Sequence, residues 1–130
     1  NKYVIDVKCK RIGFYVISPV LIPTGKSNIE ELMKWIEGEL EKVSTELHGN
    51  IEVKKVYGET TLLSAGFASK LGNLKCTRRP IYEALIPGSR IEIIVKNGEI
   101  RGDILSKIYW EGIGVGKEIG YGTLLPYKIS

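Results

Sequence analysis

The sequence predicts an α+β domain, because segments with the hydrophobic period of a strand and of a helix are both present along its 130 residues. In chain order these segments are strand, helix, strand, strand, helix, strand. This order is typical of the ferredoxin-like (RRM-like) βαββαβ fold, in which two helices cover one face of a four-stranded antiparallel sheet. With 43% hydrophobic and 26% charged residues, the composition predicts one globular domain over residues 1–130.

The first strand and first helix are predicted from an apolar run and a capping motif. Residues 11–23 are almost continuously apolar and end in prolines, which is typical of a central strand. Ser27 and Glu30 have the spacing of a capping box, so a helix is expected to start there. Its C-cap is predicted at Gly49. Apolar residues recur every three or four positions along this helix, at Ile29, Leu32, Met33, Ile36, Leu40, Val43 and Leu47.

Two further strands are predicted in the middle of the chain. Residues 50–58 alternate between apolar and polar side chains until Lys55, where a bulge is expected. Residues 89–100 form the third predicted strand, and Asn97 with Gly98 predicts a tight turn near its end.

The second helix and last strand complete the predicted fold. Asp103 is expected to cap a short helix that ends near Trp110. Ile104, Leu105 and Ile108 are expected to face the core. The last strand is predicted over residues 120–129.

The connection between the second and third strands, residues 59–88, is a long insertion. Connections of this length are usually functional. No acidic residue occurs from Thr60 to Tyr82, and the cations there equal the net charge of +4 of the whole chain. The pattern indicates a polyanionic partner, although charge alone is equally typical of a solvated loop. The four cations are Lys70, Lys75, Arg78 and Arg79.

A second unusual segment, residues 112–122, has five glycines in eleven residues and is called the glycine-rich loop below. Its backbone is expected to bend sharply or to meet a partner closely, and successive amides can form a concave site for a phosphate. Lys117 would add a charge, and Tyr121 a ring on which a base can stack. A helix cap followed by a turn, with Tyr121 in the core, explains the pattern equally well. The glycines are Gly112, Gly114, Gly116, Gly120 and Gly122.

Little in the sequence predicts catalysis or a cofactor. No zinc-protease, Walker or nucleophile-elbow motif is present, and His48, the only histidine, is expected to contact the last carbonyls of the helix rather than act as a base. Catalytic residues, metal ligands and cofactors are all predicted as none. Cys9 and Cys76 lack a metal-binding spacing and are expected to stay reduced. No apolar run has the length of a membrane span, so no membrane partner and a cytoplasmic location are expected.

Two motifs give a resemblance to a known family. The segment GIGVGKEIGYG has the pattern glycine-apolar-glycine, a spacer, then glycine-aromatic-glycine, and it resembles the RAMP superfamily (repeat-associated mysterious proteins) of CRISPR systems. The segment SAGFASKLGNLKCTRRPIYEALIPGSRIEI is similar to type III effector subunits that hold the 5′ handle of the guide RNA. Together they cover about the last half of the chain. The chain most resembles the C-terminal ferredoxin-like domain of the handle-binding subunit of Csm or Cmr complexes.

The resemblance implies a non-catalytic RNA-binding subunit of a type III CRISPR interference complex, which serves antiviral defence. Its implied partners are the guide RNA (crRNA) and other effector subunits. Such subunits usually have two ferredoxin-like domains, so this chain is expected to be a fragment, a degenerate member or half of a split pair. The implied RNA-binding residues are the four cations Lys70, Lys75, Arg78 and Arg79, the five glycines of the glycine-rich loop, Lys117 and Tyr121.

An enzymatic alternative stays open, because the glycine motif is nearly as similar to that of the CRISPR repeat endoribonucleases that process precursor crRNA. Their catalytic histidine commonly lies in an N-terminal domain, so the role is not transferred to His48. Under the RNA-binding reading, Gly120→Ala and Gly122→Ala are expected to leave much of the fold intact and to weaken binding of RNA or of a subunit.

Overall fold

The computed structural model describes residues 8–23, 28–64 and 81–129. Two α-helices, α1 at Ile29–Glu41 and α2 at Gly102–Glu111, and two 3₁₀ helices, at Thr45–Leu47 and Lys117–Ile119, lie in these ranges. The strands in chain order are β1 Lys8–Cys9, β2 Arg11–Val16, β3 Val20–Ile22, β4 Ile51–Tyr57, β5 Thr60–Ser64, β6 Ile81–Leu85, β7 Arg90–Val95, β8 Ile100–Arg101 and β9 Leu124–Lys128.

The main sheet has four antiparallel strands in the order β4, β7, β2, β9. Alternate residues of the central strands, such as Phe14 of β2 and Ile91 of β7, are fully buried and pair with one another across the sheet. They form one apolar cluster with Ile36 and Leu40 of α1 and with Ile108 of α2. The two helices therefore cover one face of the sheet, because that is where the apolar side of each element is buried.

A second antiparallel sheet of three strands, in the order β3, β6, β5, continues the first. Tyr57 pairs with Arg90 at the end of the main sheet, and Thr60 pairs with Leu85 where the second begins, so β4 to β5 and β6 to β7 form one bent hairpin. The bend has close packing, since a Cβ atom on Gly58 would overlap Ser89. A short ladder between β1 and β8 is separate.

The structure confirms an α+β chain with antiparallel sheets and two helices. The bulge is also confirmed, because the pairing of β4 with β7 shifts between Val53 and Lys55. The single first strand predicted over residues 11–23 is wrong: it is divided at residues 17–19 into β2 and β3, which belong to different sheets. The insertion was expected as a long connection, and its two ends instead supply the strands β5 and β6.

The first helix is shorter than predicted at both ends. Its N-cap is Asn28, whose side chain accepts a hydrogen bond of 2.7 Å from the Glu30 amide, whereas Ser27 lies outside the described residues. It ends at Glu41, because Ser44 caps a separate 3₁₀ helix with its own hydroxyl. Val43 and Leu47 nevertheless stay buried, so the apolar stripe continues where the α-helix does not.

The N-cap of the second helix lies two residues before the predicted one. Asp103 lies inside the first turn and pairs with Arg101, the actual N-cap, at 3.1 Å. Ile104, Leu105 and Ile108 are buried as predicted. The last strand begins at Leu124, so the predicted range 120–129 wrongly includes Gly120 and Gly122.

Glu37 provides a stability prediction that is independent of function. Burial raises the pKa of this carboxyl, and the nearby Glu52 and Glu41 raise it further. The folded state therefore binds the proton more readily than the unfolded state, and ionised Glu37 lowers stability above the ordinary carboxyl pKa. We expect Glu37→Gln to increase the free energy of unfolding at pH 7 and to lose that advantage below about pH 4.

Urea unfolding at both pH values measures this effect. Glu31→Gln, a change at an exposed position in the first turn of the same helix, is the matched control and is expected to give no gain. An equal gain in the two variants would contradict the assigned cause.

Candidate nucleic-acid interface

The four cations predicted to bind phosphates, Lys70, Lys75, Arg78 and Arg79, lie outside the described residues, as does Cys76. The residues that flank this part of the chain are described. Ser64 at the end of β5 pairs with Ile81 at the start of β6. The basic segment is therefore connected at both ends to the three-stranded sheet.

The glycine-rich loop joins the same sheet at its opposite edge. Val115 forms an antiparallel bridge with Leu21 of β3, and its amide donates to the Leu21 carbonyl at 3.1 Å. Leu21 in turn pairs with Ala84 of β6, which pairs with Thr61 of β5. At about 4.8 Å per strand this row is roughly 14 Å wide, and Ser64 and Ile81 lie about 10 Å further along their strands.

The backbone of the glycine-rich loop has left-handed φ values at all five of its glycines, from +72° at Gly112 to +106° at Gly120. Three of them are approached closely by the protein itself. A Cβ atom would lie 2.9 Å from the Gly122 carbonyl oxygen if built on Gly112, and 2.7 Å from the Leu21 carbonyl oxygen if built on Gly114. Built on Gly122, it would overlap the Ile113 carbonyl. Gly120 alone among these four has open space around it.

For Gly122→Ala the geometry instead predicts a loss of stability. Its backbone conformation and the contact with Ile113 both exclude a side chain. For Gly120 only the backbone conformation opposes alanine, so the expected weakening of binding stays a prediction there.

Most amides of the glycine-rich loop already have acceptors within the protein. The Ile113 amide donates to the Gly122 carbonyl at 3.0 Å, and the Gly122 amide to the Pro19 carbonyl at 2.8 Å. The Gly112 amide donates to Ile108 at the end of α2. The concave phosphate site predicted from successive amides is thus not open at Gly112, Gly114 or Gly122, and any RNA contact of these residues would use other atoms.

Glu39 of α1 supplies the acceptor for the Gly114 amide. Its Oε1 atom lies 3.0 Å from that nitrogen, and its Oε2 atom pairs with Lys42 at 2.7 Å. The Glu39 side chain is only 11% exposed. It occupies the position that an anion would take in the glycine-rich loop, and it connects this loop to the first helix.

Ser18 holds the other side of the glycine-rich loop. Its hydroxyl donates to the Gly120 carbonyl at 2.6 Å and accepts from the Thr123 amide at 2.9 Å. Sequence reasoning missed both anchors. Ser18 had a signal, since it is the one polar residue that interrupts an apolar run, whereas Glu39 lies 75 residues from its partner and had none.

Lys117 and Tyr121 occupy different settings within the glycine-rich loop. Lys117 is half-buried and starts the second 3₁₀ helix, for which Gly116 is the N-cap. Tyr121 is also half-buried, and it packs with Val115 against a small second core of Leu21 and Ala84. Base stacking on Tyr121 stays a prediction, and part of its ring area is already used in packing.

The catalytic alternative would need a general base or a metal site. His48 is exposed and ends the first 3₁₀ helix, where its amide donates to the Thr45 carbonyl at 3.2 Å. Within residues 8–23, 28–64 and 81–129 no cluster of three His, Cys, Asp or Glu side chains is arranged to hold a metal ion. In the same ranges no helix is both long and apolar enough to cross a membrane.

Comparison with known proteins leaves the family open. No protein-family model matches this chain, and no curated protein matches it either.

Proposed function

We propose that this chain is a ferredoxin-like, non-catalytic RNA-binding subunit of a type III CRISPR interference complex, and that it holds guide RNA in the cytoplasm with its basic insertion and glycine-rich loop. One observation carries the proposal. The three-stranded sheet joins the glycine-rich loop at Leu21 and the two ends of the basic segment at Ser64 and Ile81. The glycine-rich loop and the two residues that flank the basic segment thus lie on one structural unit.

The strand order supports the ferredoxin-like part of the proposal. Counted without the added strands, β2, β4, β7 and β9 are the first to fourth core strands, and all neighbours in their sheet are antiparallel. The second and third are adjacent, the first lies beside the third, and the fourth is at the far edge. The two helices follow the first and third core strands, as the split βαβ arrangement requires.

Rigidity of the glycine-rich loop supports the binding role. Glu39, Ser18 and Leu21 hold it from three elements, so the entropy cost of ordering it is met on folding rather than on binding. Its open position is Gly120, where nothing lies within 4 Å of an added Cβ atom. We assign the phosphate contacts mainly to the basic insertion, because the amides of the glycine-rich loop are engaged.

Salt dependence tests the proposal. Four phosphate contacts to single-stranded RNA correspond to a slope of log affinity against log salt of about −3, at about −0.7 per phosphate. We expect Arg78→Ala combined with Arg79→Ala to reduce the magnitude of this slope by about 1.4 and to leave thermal stability nearly unchanged. Fluorescence anisotropy with labelled CRISPR-repeat RNA at several salt concentrations measures the slope.

A matched double variant, Lys34→Ala with Lys107→Ala, removes two exposed cations from the helices and is expected to keep the parental slope. If both double variants keep it, the basic segment does not bind phosphates and the proposal fails. Incubation of the same RNA without metal gives the other decisive outcome. Specific cleavage that His48→Ala abolishes would replace the proposal by a repeat endoribonuclease.

A further inference from the structure

The main sheet has one face that no described helix covers, and we call it the open sheet face. Phe14 and Ile91 point to the helices and are buried, so their neighbours Tyr15 and Arg90 lie on the opposite side. Tyr15 is 40% exposed and Tyr57 36% exposed. Tyrosine is enriched at binding interfaces, because its ring is apolar and its hydroxyl is polar.

On one half of the open sheet face, the cations Lys55 and Arg90 lie close to the ring of Tyr57. The Arg90 guanidinium carbon lies 4.4 Å from the centre of the Tyr57 ring, and the Lys55 ammonium lies 5.6 Å from the same point. Arg90 pairs with Tyr57 on one neighbouring strand and with Tyr15 on the other. The cation-π contacts hold the guanidinium plane and the ring together at the surface.

The other half is a tyrosine pair. The rings of Tyr15 and Tyr127 are 4.4 Å apart and inclined by 32°. Tyr127 lies across Gly13, where any side chain would overlap its ring, so the glycine leaves the space that Tyr127 fills. Desolvation raises the pKa of the Tyr127 hydroxyl, and the Arg90 guanidinium nearby opposes that rise. The pair is thus fixed by packing before any ligand arrives.

The charges of the open sheet face favour an anionic partner. Its aliphatic side chains are few, at Ile94 and Leu125, and charged side chains lie between its rings, whereas the centre of a protein interface is depleted of charged residues. Lys54 pairs with Glu52 at 3.7 Å, and the other cations outnumber the remaining carboxylate. The cations are Arg11, Lys54, Lys55 and Arg90, and the carboxylates are Glu52 and Glu92.

We propose that the open sheet face is a second binding site for single-stranded RNA. Bases stack on Tyr15 and on the surface formed by Arg90 and Tyr57, while Lys55 and Arg11 contact phosphates. Rings and guanidinium planes bind unstacked bases in this way, and interleaved cations neutralise the backbone. The inference rests on the proposed function and adds a second surface to it. Tyr57 and Ser64 are seven residues apart on the bent hairpin, so roughly 20 Å of sheet lies between the open sheet face and the residue that precedes the basic segment.

Affinity for a fluorescein-labelled oligouridylate tests this site, because uridine offers stacking without base pairing. We expect Tyr15→Ala and Tyr57→Ala each to weaken binding roughly 5- to 140-fold with the salt slope unchanged, as loss of a stacked base does. Tyr15→Phe and Tyr57→Phe keep the ring and are the matched controls, expected to bind like the parent. Thermal unfolding of each variant checks that the fold is retained.

Photocrosslinking of the parent protein to a 5-bromouridine-substituted oligouridylate tests the site without any substitution. Crosslinks in peptides that contain Tyr15, Tyr57 or Tyr127 would support it. Parental affinity in both alanine variants, or crosslinks confined to other peptides, would overturn it. If the Arg78 and Arg79 double variant then still lowers the salt slope, the proposed function stands without this second surface. Absence of any RNA binding by the parent would overturn both.

Discussion

Gly122→Ala is expected to lower the free energy of unfolding by about 2 to 5 kcal/mol. The φ of Gly122 is +76°, a conformation that costs an L-residue about 1 to 2 kcal/mol. An added Cβ atom would also overlap the Ile113 carbonyl, which is held in place because the Ile113 amide donates to Gly122 at 3.0 Å. Relief requires the two backbone segments of the glycine-rich loop to separate, and urea unfolding measures the loss.

Gly120→Ala is the matched control for this change. It lies two residues away with a φ of +106° but with nothing within 4 Å of the added atom. Only the backbone cost of about 1 to 2 kcal/mol is expected there. Equal losses in the two variants would show that the contact with Ile113 relaxes easily and that the packing of the glycine-rich loop is not the cause.

Glu39→Ala is expected to destabilise the protein by about 1.5 to 3 kcal/mol, the range for hydrogen bonds to charged groups. The substitution removes the acceptor of the Gly114 amide, which lies 3.0 Å from the carboxylate in a partly buried setting. The Gly114 amide then lacks its acceptor, and the contact between α1 and the glycine-rich loop is lost. Urea unfolding gives the free energy, and amide hydrogen exchange at Gly114 gives a local measure that is expected to accelerate.

Glu39→Gln separates the hydrogen bond from the charge. Its amide oxygen can still accept from Gly114, so we expect a smaller loss and slower exchange than in the alanine variant. Lys42 loses its ion pair in both variants, so that contribution is common to them. Parental exchange at Gly114 in Glu39→Ala would contradict the assigned anchor.

The glycine-rich loop differs in the structure from what its sequence pattern predicts. The glycine cluster correctly indicates that backbone must meet something closely, and for Gly112, Gly114 and Gly122 the partner in the structure is the protein's own backbone. A cluster of glycines indicates that another group approaches the backbone closely, but it does not identify that group. At Gly114 the neighbours come from β3 and α1, which lie far away in sequence.

The open sheet face shows a second reason for incomplete prediction. Tyr15 lies within a run of apolar residues, so its sequence context is that of a core strand. Tyr57 and Arg90 are 33 residues apart and meet only because β4 and β7 pair in one particular register. A cation beside an aromatic ring can be identified only when the register is known, because a shift by one residue moves every side chain to the other face.

The sequence by itself determined the elements that depend on local chemistry. The apolar periods placed both helices and the main strands of an α+β chain, and the irregular alternation at Lys55 located the bulge. Only the tertiary structure decided that Ser18 and its neighbours divide the first strand between two sheets, and that Glu39 fills the glycine-rich loop. Hydrophobic period and capping are fixed by neighbours within a few residues, whereas these features depend on contacts between distant segments, whose energies no local pattern contains.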